Sequence, residues 1–288
     1  MIQSMDRNVF IPSRGRWEQA PVIAKAWHAQ GFTPHFVVEP DEALSYCAAV
    51  EDCQVHPLEF ENGGIGHSRM HCVNLAASWG CKSIVLCDDD IKPNPKYLNM
   101  GNFMDSAAHS KVLGITARYG YHDLCLGALI KDRNDLILLP TGTFRLVALN
   151  VRNVLEIGNY DRHLEYAEDC DLFLRGLQAG FPWLIHLGTR SISVGTRYQP
   201  GGMLDFAGGE DELADRKEHW HETLYERYPD IVNDPAKADF TKQNSIRISW
   251  RKAYDKYLPG WKKWSALHGG YLAYYLGISR RPDVDVEV

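Results

Sequence analysis

Ser83-Ile84-Val85-Leu86-Cys87-Asp88-Asp89-Asp90 is the stretch on which the reading of this chain turns. A short β-rich apolar run stops abruptly at three carboxylates. Such a run fits a strand buried on both faces, as in a parallel sheet. In an open sheet of that kind, ligands gather at the carboxyl ends of the strands. Three acids placed there repel one another, and a cation is the natural compensation. Carboxylates are the ligands that Mg²⁺ and Mn²⁺ prefer, with positions left over for substrate phosphates. Alternation along an extended segment would turn Asp88 and Asp90 to one side. The plain alternative is an acidic turn that caps whatever follows.

Upstream, strands and helices alternate. Val9-Phe10-Ile11-Pro12 is a strand that ends in the polar turn Ser13-Arg14-Gly15-Arg16. Trp17, Ala20, Ile23, Ala24 and Trp27 have helical spacing, and Gly31 closes that helix. Phe36-Val37-Val38 is the next strand, stopped by Glu39-Pro40, and a short helix covers Glu42 to Val50. Gln54-Val55-His56 is a brief strand, and a helix runs from Gly66 to Trp79. This rhythm predicts an α/β fold, a Rossmann-type, mostly parallel sheet with helices on both faces.

Downstream the character changes. Val112–Ala117, Leu126–Ile130, Leu136–Leu139 and Phe144–Leu149 read as strands with no long helix between them. Val151–Ile157 and Glu168–Ala179 read as helices, and Trp183–Leu187 as a strand. Gly195 to Gly209 carries five glycines and is expected to be a loop that closes over a ligand. Asp211–Tyr228 reads as a polar helix.

A second acidic motif lies in this half. Gly158-Asn159-Tyr160-Asp161 is followed by Glu168-Asp169-Cys170-Asp171-Leu172-Phe173-Leu174-Arg175, then Gly180. Glu168 and Asp169 fall at a helix start, where free amides and the helix dipole stabilise carboxylates. A carboxylate kept ionised there suits a general base for an acceptor hydroxyl. Plain helix capping is the competing reading.

Taken together, the two motifs resemble the GT-A class of glycosyltransferases over about residues 8 to 195. That resemblance implies a nucleotide-sugar donor and a divalent metal, Mn²⁺ or Mg²⁺, on its diphosphate. It implies Asp90 as principal metal ligand and Asp88 as a contact to metal or donor ribose, with Asp89 beside them on the donor side. It implies Asp169 as catalytic base and Glu168 as the residue that positions the acceptor. Arg14 takes the place where GT-A enzymes hold the nucleotide base, and could bond base or phosphate. Arg69, on the helix before the acidic strand, is a candidate for the donor diphosphate. A third metal ligand is often a histidine from the C-terminal half. His186, His219 and His221 are the choices, and the pattern does not select among them.

Composition bounds the rest. At 288 residues and 45% hydrophobic, the chain can bury one large core. It has no apolar stretch of membrane-spanning length and no signal-like start, so no membrane partner is expected. Seven cysteines, an odd number without a Cys-x-x-Cys pair, suit a reducing, cytoplasmic setting. The net charge of −6 is uneven: Phe240 to Arg281 holds nine Lys/Arg against Asp255 alone. Two units are therefore expected, a core domain at 1–239 and a basic, aromatic-rich, helical extension at 240–288. That extension carries Trp250, Trp261 and Trp264. Cations with aromatic faces suit a nucleic-acid strand, though the basic side of an ordinary helix has the same composition.

The start Ile11-Pro12-Ser13-Arg14-Gly15-Arg16-Trp17 also resembles a narrower group, the phage and bacterial glycosyltransferases encoded beside TET-like DNA-base hydroxylases. That resemblance implies a hydroxymethylated pyrimidine in DNA as acceptor, flipped out of the duplex, and host cytoplasm as the setting of a phage-encoded member. Two other readings stand beside it. One is a glycosyltransferase acting on a glycan, protein or small molecule. The other is a nucleotide-sugar-binding protein or a nucleotidyltransferase. Against the last, Ser13-Arg14-Gly15-Arg16 lacks the lysine-bearing, Gly-rich loop such an enzyme would show after its first strand.

Overall fold

The computed structural model describes residues 7–94, 104, 107, 108, 112–118, 136–138, 145–194, 208–238, 240 and 248–258. The opening half follows the alternation of its sequence. Strand β1 (Asn8–Ser13) leads to helix α1 (Ala20–His28), β2 (Thr33–Val38), α2 (Ala43–Ala49), β3 (Gln54–Pro57), α3 (Gly64–Ser78) and β4 (Ser83–Cys87). Helix α1 starts with a proline in its first turn, where the missing N–H has no intrahelical partner to lose. Helix α3 begins at Gly64, two residues earlier than its sequence suggests. There Gly64 adopts φ +73°, which favours glycine.

The second half contributes β5 (Ile91–Pro93), β6 (Gly114–Arg118), β7 (Leu136–Leu138), β8 (Leu146–Asn150), α4 (Val151–Glu156), α5 (Glu168–Gln178), β9 (Trp183–Ser193) and α6 (Glu210–Arg227). A last helix, α7, spans Trp250–Tyr257. Strand β9 runs six residues past Leu187, where the sequence reading ended it, and pairs with β5, a strand the sequence reading did not foresee. The expected strand at Leu126–Ile130 and the loop at 195–207 lie outside the described residues.

The strands form one sheet in the order β3-β2-β1-β4-β8-β6-β9-β5, with β7 also on β9. Its parallel block is β3-β2-β1-β4, as the βαβα alternation requires. β8 joins β4 antiparallel, with Ser83 opposite Asn150 and Cys87 opposite Leu146. β6 pairs antiparallel with β8 and parallel with β9. The centre of the sheet is the core: Val9–Ile11, Ile84–Cys87 and Leu146–Leu149 are all buried. Burial of successive residues means both faces of β1, β4 and β8 are covered. Helix α3 packs on β1, β2 and β4, while α1 packs on β2 and β5.

Part of the expected C-terminal extension is built into this core. Ala253 and Tyr254 of α7 are buried, and Tyr254 meets Phe173 of α5 edge-on. Backbone bonding around Ile231, Val232, Ile248 and Ser249 ties the segment down. Lys262, Lys263, Trp261 and Trp264 lie outside the described residues. All described cysteines are free thiols. No described helix is long and apolar enough to cross a membrane.

Candidate active site

The carboxyl end of β4 carries the first acidic motif. The chain does not continue extended there: Ile91 donates its N–H to the Asp88 carbonyl at 3.1 Å, closing a turn over 88–91. Alternation therefore does not govern the three acids, and each faces a different partner. Asp88 Oδ1 accepts from Arg69 Nη2 at 2.8 Å. Asp89 accepts from Ser13 Oγ at 2.7 Å and pairs with Arg16, so it is bound back to the end of β1. Asp90 Oδ2 lies 3.9 Å from Arg145 Nη1, and its carbonyl takes the N–H of Val194 at 2.7 Å. Burial raises Asp88 above the usual carboxylate range, against the pull of Arg69. It also pushes Asp89 up to about 6, against Arg16.

The second motif sits at the start of α5. Ala167 precedes it in the left-handed conformation, φ 60°, and offers no side-chain cap. Glu168 turns inward, and its Oε1 accepts from Arg69 Nη1 at 2.5 Å. Asp169 Oδ1 accepts the Cys170 N–H at 2.8 Å. Its Oδ2 is 3.9 Å from Arg69 Nη1, beyond hydrogen-bond reach. Asp169 is the more open of the two, with 18% of its side chain exposed against 6% for Glu168. Burial raises both carboxylates above their usual range, and Arg69 opposes it.

Arg69 thus joins the two motifs. It is 7% exposed and reaches Asp88 on one arm and Glu168 on the other. The sequence reading offered it to the donor diphosphate; in the structure one N–H of each terminal nitrogen is directed at a carboxylate. Below it lies Tyr160, whose ring centroid is 6.0 Å from the guanidinium carbon and whose buried hydroxyl has no hydrogen-bond partner among the described residues. Behind the motif, Asp171 is fully buried. It accepts from Arg175 Nε at 2.8 Å, Arg227 Nη1 at 3.0 Å and the Tyr228 hydroxyl at 3.1 Å. Arg227 also donates to Asp161 at 2.6 Å, so α6 is stapled to the segment that feeds α5.

Beside the acids, the ends of β1 and β2 form a polar rim. Arg14 Nη2 donates to Asn62 Oδ1 at 2.8 Å, and the Asn62 N–H donates to Glu39 at 2.8 Å. The Gly15 N–H lies 2.9 Å from both carboxylate oxygens of Glu42. The sequence reading found Arg14 but passed over Glu39 and Glu42, which it used only to place a strand end and a helix start. It also missed Arg16 and Tyr46, whose hydroxyl is 2.6 Å from Ser13 Oγ. Each acts through a contact across tens of residues, which local pattern does not record.

The three histidines fall apart. The side chain of His186 lies outside the described residues. His219 is exposed on α6. His221 is buried, with Nε2 2.7 Å from the Asn233 carbonyl and its ring edge-on to Phe240. Among the described residues, no three His, Cys, Asp or Glu side chains cluster tightly enough to hold a metal by themselves.

This architecture is the GT-A fold, shared with solved glycosyltransferases. The mannosyltransferase PcManGT from Pyrobaculum calidifontis, in complex with GDP-Man and Mn²⁺, superposes with a TM-score of 0.52 at 14% identity. That match covers 96% of this chain and 76% of the other. GalNAc-T7 with UDP, GalNAc and Mn²⁺ gives 0.52 at 10% identity, over 93% of this chain and 59% of that longer one. Glucosyl-3-phosphoglycerate synthase from Mycobacterium tuberculosis, with Mn²⁺, UDP and phosphoglyceric acid, gives 0.50 at 11%, over 76% and 77%. In sequence, residues 7–94 match the model of one family, the TET-associated glycosyltransferases. That match spans β1 through β5, including Arg14, Arg69 and all three aspartates. No curated protein matches the chain in sequence.

Proposed function

We propose that this protein is a metal-dependent glycosyltransferase that moves a sugar from a nucleotide-sugar to an acceptor hydroxyl. The observation that carries this reading is the Arg69 bridge. It brings the acids at the end of β4 within one guanidinium of the acids at the start of α5. One group then serves the donor and the other the acceptor.

On the donor side, Asp88 Oδ2 and the Asp90 carboxylate are the oxygens offered to Mn²⁺ or Mg²⁺. Two carboxylates fit such an ion when phosphate oxygens and water complete its shell. Bound there, the cation would neutralise charge developing on the leaving diphosphate. His186, His219 or His221 remains the candidate for a third protein ligand. Arg14 and the rim around Glu39 and Glu42 would receive the nucleotide end. On the acceptor side, Asp169 Oδ2 takes the hydroxyl proton as the oxygen bonds to the anomeric carbon and the bond to the diphosphate breaks. Glu168, held by Arg69, shapes the acceptor floor.

The acceptor we favour is a hydroxymethylated base in DNA. Support comes from the family whose model matches residues 7–94 and from the basic composition of Phe240–Arg281. The decisive experiment is a screen of nucleotide-sugars with Mn²⁺, with and without hydroxymethylated DNA. We expect donor consumption that rises when the DNA is present, with sugar recovered on the base. Donor consumption unaffected by DNA, and no binding of single- or double-stranded DNA at low salt, would point to a glycan, protein or small-molecule acceptor. No turnover or binding of any donor would defeat the glycosyltransferase reading itself.

A further inference from the structure

We infer that Arg69 is a positioning residue that fixes the spacing between the donor-side and acceptor-side acids. This rests on the glycosyltransferase reading for its catalytic consequence, but not for its geometry.

Three observations carry it. First, the guanidinium is already committed. Nη1 reaches Glu168 at 2.5 Å and Nη2 reaches Asp88 at 2.8 Å, so both terminal nitrogens hold carboxylates from different motifs. Two of its five N–H groups thus fix one acid of each motif, and the planar fork holds both in a set relation. Second, each arm holds one named oxygen, Glu168 Oε1 and Asp88 Oδ1. Asp88 Oδ2 accepts no hydrogen bond from any described residue, so the arm orients the carboxylate without consuming it. This is the usual arrangement behind a ligating acid. The rigid fork of a guanidinium sets the distance between its two partners, which a flexible ammonium does not.

Third, the helix that carries Arg69 is fixed to the acceptor-side segment at a second point. Gly66 lies one turn earlier on α3, on the same face. A Cβ there would stand 2.3 Å from the Leu164 carbonyl oxygen and 2.4 Å from that of Asp161. Only a glycine lets α3 sit this close to the chain that leads into Glu168. Backbone contact at Gly66 and charge contact at Arg69 therefore hold one rigid unit, with β4 on one side and α5 on the other.

The test uses the full chain with Arg69→Lys, Arg69→Met and Glu168→Gln. Calorimetry reads the affinity for a nucleoside diphosphate with and without Mn²⁺, and steady-state kinetics reads transfer. A positioning role predicts a fall in transfer kcat of about a hundredfold for Arg69→Lys, the scale of an ångström's misplacement. Diphosphate affinity without metal should move by less than about threefold, whereas the Mn²⁺-dependent affinity should fall about tenfold or more, because Asp88 loses the group that orients it. A metal-free affinity that falls as far as kcat would make diphosphate binding the main role of Arg69 and overturn the inference, as would a lysine variant with wild-type kcat. Thermal unfolding supplies a reading independent of turnover. If Arg69 bridges the acids, adding Glu168→Gln to Arg69→Met should raise the Tm above that of Arg69→Met alone, because the stranded carboxylate is gone. Additive losses would overturn the bridge even in a protein that transfers no sugar. Failure of every donor to bind wild type, with the Tm coupling intact, would instead defeat the glycosyltransferase reading and leave the bridge standing.

Discussion

The two acidic motifs keep their carboxylates in place by opposite means. At the end of β4, three neighbouring acids diverge, each to a different basic partner: Arg69, Arg16 and Arg145. At the start of α5, two neighbouring acids converge on Arg69, one in hydrogen-bond contact and one just beyond it. Divergence sorts the β4 acids by role. Asp89 becomes part of the framework that ties β4 to β1, while Asp88 and Asp90 are the two we propose for the metal. Convergence sorts the α5 acids by depth. Glu168 is anchored and Asp169 is left the more exposed of the two. A run of like charges in sequence is thus several devices in space.

Asp169→Asn is the sharpest break of this pattern. An amide cannot take the acceptor proton, so turnover should fall about a hundredfold or more. Donor affinity should hold, and Glu168→Gln should act mainly on acceptor binding. Near-normal turnover in Asp169→Asn would reduce the residue to a helix cap.

Asp89→Asn tests the framework role on the other side. It removes the carboxylate that pairs with the buried Arg16 and should lower unfolding stability by about 3 kcal/mol. Mn²⁺-dependent diphosphate binding should survive in the folded protein, whereas Asp90→Asn should abolish it and leave stability nearly unchanged. The reverse pattern, measured by calorimetry and denaturant titration, would exchange the two assignments.

Smaller is the effect of Gly66→Ala. The added methyl must push α3 from the Leu164 and Asp161 carbonyls. Such overpacking costs about 1–3 kcal/mol, and transfer should suffer more than donor binding. A variant equal to wild type in both would show that the two motifs are not held together through α3.

The mildest change is at Asp161. Burial pushes its pKa up but is outweighed by the His163 amide and by Arg227, so it lies below the ordinary 3.8. The carboxylate then adds stability above that value and loses it as the pH falls below. Asp161→Asn should cost about 1 kcal/mol or less near neutral pH and flatten the acid limb of a Tm-against-pH curve. An unchanged acid limb would mean that the staple from α6 contributes nothing.

Much of the parallel block was legible because its chain order is close to its spatial order. Phe10, Val37 and Val85 lie in runs whose buried strand character is local, and each helix between them has its own periodicity. The mixed block was harder. β5 is three residues long and exists only because β9 extends far enough to pair with it. The identity of the acids could be read from sequence, but their directions could not. Asp88 and Asp90 looked alike until the turn at 88–91 and the positions of Arg69 and Arg145 separated them. Arg69 itself was noticed, but its bridge was not, since nothing in its neighbourhood reveals Glu168, 99 positions away.

Ala167 has a consequence for how this site can vary. Its φ of 60° inverts the local handedness for one residue, just where the chain enters α5. An L-residue with a methyl tolerates this at a cost of about 1–2 kcal/mol, glycine and asparagine tolerate it more easily, and β-branched residues hardly at all. Among chains that share this helix, position 167 should therefore draw on a narrow alphabet of Gly, Asn, Asp and Ala. The same inversion would suit a mirror-image residue: D-alanine installed there by chemical ligation would sit at ease where its natural counterpart is strained.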